Sequence, residues 1–145
     1  MPFRTRHGQT RDLLSLVDAE VRERIEEAVD FVSLDIVVQR RRARGLPLPV
    51  ADNTRDREEF DAGVLGLLER LTNELASALP PEQRQRLNPD GPGDRIDRLI
   101  TAQVTLAKQL PDYWQRFEAI RARHTEEQGA SGGERRGFLA RLFRG

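Results

Sequence analysis

Apolar residues in the first third of the chain fall at Leu14, Val17, Val21, Ile25, Ala28, Val32 and Ile36, in steps of three and four. Only an α-helix gathers such positions on one side, because its 3.6-residue turn stacks i, i+3, i+4 and i+7. The pattern holds for about six turns, and it recurs. A second stripe runs through Phe60, Val64, Leu67, Leu68, Leu71, Leu75 and Leu79. A third takes in Ile96, Leu99, Ile100, Gln103, Leu106 and Leu110, and continues through Tyr113, Trp114, Phe117 and Ile120. No stretch alternates with the period of two that a half-buried strand requires.

The residues between the stripes punctuate them. Thr10 can cap the first helix, and Gly45 follows its last turn. Asp18, Glu20, Glu23, Glu26 and Glu27 read as its solvated face. Pro47 and Pro49 in "LPLPVADN" set an extended connection. Asn53 or Thr54 caps the second helix; Gly63 and Gly66 inside it suggest close approach of a neighbour. Pro80-Pro81 stops that helix, one helical turn is expected around Glu82 to Leu87, and "NPDGPG" is the firmest boundary in the chain. Asp94 caps the third helix, which Pro111 should kink or briefly break. The expected fold is all-α: three long helices in an up-down-up bundle, the third kinked at Pro111, then a flexible linker and a short C-terminal amphipathic helix. The expected division is a disordered start at 1–9, a helical bundle at 10–127, a flexible linker at 128–134 and a terminal helix at 135–145. Long helices with continuous stripes also favour a homo-oligomer, a dimer or higher.

Composition narrows the function. The 24 basic and 24 acidic residues cancel, which argues against the positive footprint of a nucleic-acid binder. The absence of cysteine removes disulfides, thiol catalysis and Cys-based zinc sites. "MPFRTRHGQT" has no apolar core of the signal-peptide type, and no run reaches the roughly 20 apolar residues that cross a bilayer. A cytoplasmic protein is expected.

Catalytic patterns are missing. His7 and His124 have no metal-ligand spacing, and there is no E-x-x-H, no P-loop and no G-x-G-x-x-G. His124 reads as a residue flanking the core, and Glu26-Glu27 and Glu58-Glu59 as solvated faces. The expectation is a protein that is not an enzyme and has no cofactor or metal. "QRRRARG", with Arg40, Arg41, Arg42 and Arg44, reads as a complement to the helix dipole or as a secondary basic contact with anionic lipid or an acidic partner. "LPLP" is a weak polyproline signal. Trp114 reads as core.

The C-terminal "GERRGFLARLFRG" belongs to no stripe. On a helical wheel, Phe138, Leu142, Leu139 and Phe143 lie within about 140° of one another, with Arg141 and Arg144 opposite. Arg136 borders the apolar face, where its stem can snorkel. Arg135, Arg136, Arg141 and Arg144 against Glu134 give residues 134–145 a net charge of +3 and leave −3 on the rest. So short a helix does not form alone in water and needs a surface to fold on. Large apolar residues on one side and Arg on the other describe an interfacial membrane helix.

"RRGFLARLFRG" resembles the C-terminal membrane-targeting sequence of the MinD-type cell-division ATPases, and similar tails close the actin-like division anchor FtsA. The resemblance spans about 11 of the 145 residues and leaves the helical body outside it. It implies that Phe138, Leu139, Leu142 and Phe143 insert among acyl chains while Arg135, Arg136, Arg141 and Arg144 meet lipid phosphates. It implies a membrane address alone, with no ATPase activity. The expected function is a peripheral membrane adaptor or scaffold that holds a protein partner at the inner face of the cytoplasmic membrane. The alternative is a helical cargo, structural or regulatory protein whose C-terminal peptide docks on a shell or another protein.

Overall fold

A computed structural model describes residues 16–87 and 93–130. The expected disordered start, the Thr10 cap, Leu14 and the segment 131–145 lie outside the described residues, as does most of "NPDGPG". The described chain is all-α, with no strand. Its elements are α1 (Leu16–Ala43), α2 (Thr54–Ala76), the single turn α3 (Pro81–Arg84), α4 (Arg95–Gln109) and α5 (Tyr113–Ala130).

The caps follow from local chemistry. The Asn53 side chain accepts a hydrogen bond from the Asp56 N–H, and the Asp94 side chain accepts from the Asp97 N–H. Each satisfies a backbone donor that the first turn leaves without a partner. Pro81 opens α3 where a missing N–H costs nothing. Gly45, at φ 69°, ends α1. Its N–H donates to the Arg42 carbonyl, and the Leu46 N–H donates back to Arg41 at 2.8 Å, the paired bonds of a Schellman stop.

Pro111 breaks the third helix instead of kinking it. Leu110 is extended at φ −108°, ψ 114°, as the residue before a proline prefers. A new helix starts at Tyr113. Its other end runs to Ala130, three residues into the segment expected to be linker.

The second stripe is buried as read: Phe60, Val64, Leu67, Leu68, Leu71, Leu75 and Leu79 all join one core with Leu99, Ile100, Leu106, Phe117 and Ile120. Full burial of a side chain of this size contributes about 1.5–3 kcal/mol before entropy is subtracted. The first stripe is buried only in part. Val17 is 65% exposed, while Val29 and Val37 are inside. Side-chain pairs fix how the helices meet. Arg41, near the end of α1, reaches Asp56 and Glu59 at the start of α2. Arg70 and Glu74, late in α2, meet Glu127 and Arg123, late in α5. Arg22–Asp97 and Asp18–Lys108 tie both ends of α4 to the first two turns of α1.

Gly63 faces the Ser33 Cβ of α1 at ordinary contact distance, but nothing approaches Gly66. The close-approach expectation therefore fails for Gly66. Gly93, at φ 94°, has a firmer reason to be glycine: a Cβ there would collide with the Asp97 carboxylate.

Among the described residues, two of the buried polar clusters centre on Arg22 and on Gln103. Arg22 is fully buried and donates from Nε to Glu26 at 3.0 Å, from Nη1 to Thr101 at 3.1 Å, and from Nη2 to Asp97. Glu26, read above as part of the solvated face, is thus buried. A carboxylate can enter the interior when a guanidinium and further hydrogen bonds replace its water. In the second cluster, the Tyr113 hydroxyl donates to Gln103 Oε1 at 2.7 Å, and Gln103 Nε2 donates to Thr72 at 3.0 Å. This chain of bonds ties α2, α4 and α5 together. Burial raises the Tyr113 pKa far above its ordinary value, so the hydroxyl stays a donor.

Candidate functional site at the basic end of the bundle

The expected site residues divide sharply. Arg135, Arg136, Phe138, Leu139, Arg141, Leu142, Phe143 and Arg144 lie outside the described residues. Arg40, Arg41, Arg42 and Arg44 close α1, and the structure gives them different tasks.

Arg41 is committed to the fold. Its Nη2 donates to Asp56 at 2.7 Å and to Glu59 at 2.6 Å, and its Nη1 donates to the Pro47 carbonyl at 3.2 Å. Glu59 therefore belongs to an ion pair and not to a solvated face. The Asp56 carboxylate faces two ways. One oxygen takes Arg41, and the other accepts the Val50 N–H at 2.7 Å. The Val50 N–H, followed by Arg41, holds the Asp56 pKa below the usual carboxylate range. Hydrogen bonds to Glu59 and Asp56 raise that of Arg41.

The connection from Gly45 to Asn53 is therefore pinned from beneath. Arg41 holds the Pro47 carbonyl and Asp56 holds the Val50 N–H, while Pro47 and Pro49 fix φ between them. Leu46, Leu48 and Val50 are 48%, 53% and 56% exposed on this braced segment. Arg42 and Arg44 are exposed on its α1 side.

Arg40 makes a different connection: its Nη2 donates to Gln128 Oε1. This brings the last turn of α5 beside the end of α1. Nearby, Arg70 binds Glu74 at 2.7 Å and Glu127 at 2.6 Å, and Arg123 binds Glu74 at 2.8 Å. His124 is buried in their midst, with Nδ1 unpartnered. Burial first, and then the Arg70 charge, lowers its pKa, so the imidazole is held neutral. His124 is thus inside the core margin, as its spacing from Ile120 suggests.

Trp114 is half-buried, its ring 5.2 Å from Phe117 and tilted to it, and 5.0 Å edge-on from Tyr113, with the Arg24 guanidinium 4.1 Å from its centre. The lining of a groove between α1 and α5 includes Phe31, Val32, Asp35, Phe117, Glu118 and Arg121. Among the described residues no group of three or more His, Cys, Asp or Glu could hold a metal ion. No described helix is long and apolar enough to cross a membrane.

Local spacing does not mark the Leu46, Leu48 and Val50 group. "LPLPV" announces an extended connection through its prolines, but nothing nearby in sequence tells which way its aliphatic side chains face. Comparison with protein-family models, with curated proteins and with solved structures finds no match to this chain.

Proposed function

We propose that this protein is a non-enzymatic peripheral membrane adaptor. In this reading α1, α2 and the α4–α5 limb form an up-down-up bundle that oligomerises and holds a protein partner. Residues 135–145 fold as an amphipathic helix on the inner face of the cytoplasmic membrane. Phe138, Leu139, Leu142 and Phe143 enter the acyl boundary, and Arg135, Arg136, Arg141 and Arg144 meet anionic headgroups.

The observation that carries this reading is a juxtaposition. The Arg40–Gln128 hydrogen bond sets the end of α5 beside the basic end of α1. The chain leading to the tail thus departs from the end of the bundle where Arg42 and Arg44 are exposed. A basic surface at the root of a cationic tail supports attraction to one anionic surface, at about 1 kcal/mol per Arg near the lipid.

A single short amphipathic helix holds a membrane weakly, as a single acyl chain does. Pairing two tails through the bundle makes the second insertion intramolecular and raises avidity by about 10²–10⁴. The test is co-sedimentation of the full chain with anionic and with neutral vesicles, alongside Phe138→Glu and Leu142→Glu. Binding that requires anionic lipid and is lost in both variants supports the adaptor. Equal binding by the variants, or no binding by the native chain, removes the tail as anchor.

A further inference from the structure

We infer that the α1–α2 connection is a second lipid contact: Leu46, Leu48 and Val50 enter the interfacial region of an anionic bilayer while Arg42 and Arg44 meet its phosphates. The inference rests on the membrane reading above and adds a site to it.

Three features of the connection point the same way. Its three aliphatic side chains are about half exposed although its backbone is braced. Stiffness alone serves any loop by lowering the entropy of the unfolded chain, but it does not call for three exposed aliphatic side chains. A loop that enters a bilayer gains from both, because stiffness removes the ordering cost at binding. The charge is also suited to the surface. Arg41 aside, residues 40–55 carry Arg40, Arg42, Arg44 and Arg55 against Asp52 alone. Asp56 and Glu59 beneath are engaged by Arg41. Exposed apolar side chains flanked in sequence by exposed Arg42, Arg44 and Arg55 match the layered chemistry of an anionic interface, acyl chains below and phosphates above.

Position is the third feature. Leu46 follows the Schellman stop directly, a turn and a half beyond Arg40, whose guanidinium holds the last turn of α5. The connection and the departure of the chain toward residue 131 therefore share one end of the molecule. A bilayer meeting that end meets both. Two modest contacts on one chain supply the pair of signals that stable anchoring takes.

The backbone of the connection is partly satisfied from within the chain. The Val50 N–H is held by Asp56, and the Val50 carbonyl accepts the Asn53 N–H at 3.0 Å. Pro47 and Pro49 have no N–H to satisfy. The Leu46 and Val50 N–H groups are thus paired within the chain, which lowers the cost of leaving water there.

The test uses the full chain with Trp114→Phe and Leu48→Trp, so that the indole on the connection is the sole tryptophan. Vesicles contain equal parts phosphatidylglycerol and phosphatidylcholine, with or without brominated acyl chains. On binding, the indole emission should shift to the blue and be quenched by the bromines. In a chain that otherwise retains its sequence, Leu46→Asp with Leu48→Asp should weaken vesicle affinity by about tenfold or more, with helicity unchanged. If the chain sediments with vesicles but the indole neither shifts nor is quenched, this contact is absent and the tail anchors alone. If the native chain does not sediment with either lipid, the membrane reading falls, and this inference with it.

Discussion

Two arginines on α1 each gather two carboxylates, yet the clusters differ in kind. Arg22, Glu26 and Asp97 are buried together, at most 4% exposed. The side chains of Arg41, Asp56 and Glu59 remain 15%, 13% and 34% exposed. The first ties α1 to α4 deep in the bundle. The second sits at the rim and shapes a connection. In the interior the cost of removing a charge from water is large, so a partner lost is a charge stranded. At the rim, water replaces a lost partner and the pair is worth little by itself. The same chemistry therefore serves cohesion at one end and presentation at the other.

The contrast can be broken at several points. Arg22→Ala should have the largest effect, a loss of about 3–5 kcal/mol in urea unfolding, because Glu26 and Asp97 are left inside without their cation. Replacing all three by apolar residues, as Arg22→Met, Glu26→Leu and Asp97→Leu, should recover most of that loss. If the triple variant is no more stable than Arg22→Ala, stranded charge is not the cause.

Tyr113→Phe should cost about 1–3 kcal/mol, since Gln103 Oε1 would be buried without the hydroxyl that serves it. Thermal unfolding followed by circular dichroism reads this directly.

Arg41→Ala should cost no more than about 1 kcal/mol globally. Its signature is local: the Val50 amide should exchange faster, and a protease should find the α1–α2 connection sooner. A global loss as large as that of Arg22→Ala would erase the distinction between the clusters. Acid should act on this rim in a defined sense. The Asp56 pKa is lowered on folding, so its contribution is present above about pH 4. It is lost as pH falls through the folded value.

His124 gives the smallest effect and the clearest sign. Its pKa is lowered in the folded chain by burial and by Arg70, with Arg40 adding and Glu127 and Glu74 opposing. The unfolded chain therefore takes up a proton first. Stability should decline as pH drops below about 6.5, and His124→Gln should flatten that decline in unfolding measured from neutral to mildly acid pH.

Much of the fold was legible because its causes are local. The α2 stripe, the Asn53 and Asp94 caps and the stop at Gly45 follow from residues within a turn of one another. Pro111 announced an interruption, and the preference of Leu110 for extended backbone made it a full break. Glu26 was misread because Arg22 and Glu26 at i, i+4 look the same on a wet face as on a dry one. What decides between them is Asp97, 75 residues away in the chain. Gly66 was misread because a small residue inside a helix does not say whether a neighbour is present. At the candidate site, the run of arginines was legible, but not their division of labour. Arg41 could be assigned to the fold only once Asp56 and Glu59 were seen beneath it. The amphipathic pattern of the tail was legible in sequence, but its residues lie outside those described.

The buried Arg22 cluster has a consequence beyond its energy. Stripes of Leu, Ile and Val tolerate slippage, since one aliphatic side chain moved by a turn meets another. A guanidinium with two carboxylates does not. If α4 slid one turn along α1, Asp97 would leave Arg22, and the buried guanidinium would lose that carboxylate. The cluster thus selects one alignment of helices among several that the apolar surfaces alone would permit. The all-apolar triple variant is expected to show the difference as broadened or duplicated amide resonances, even where its melting point matches the native chain.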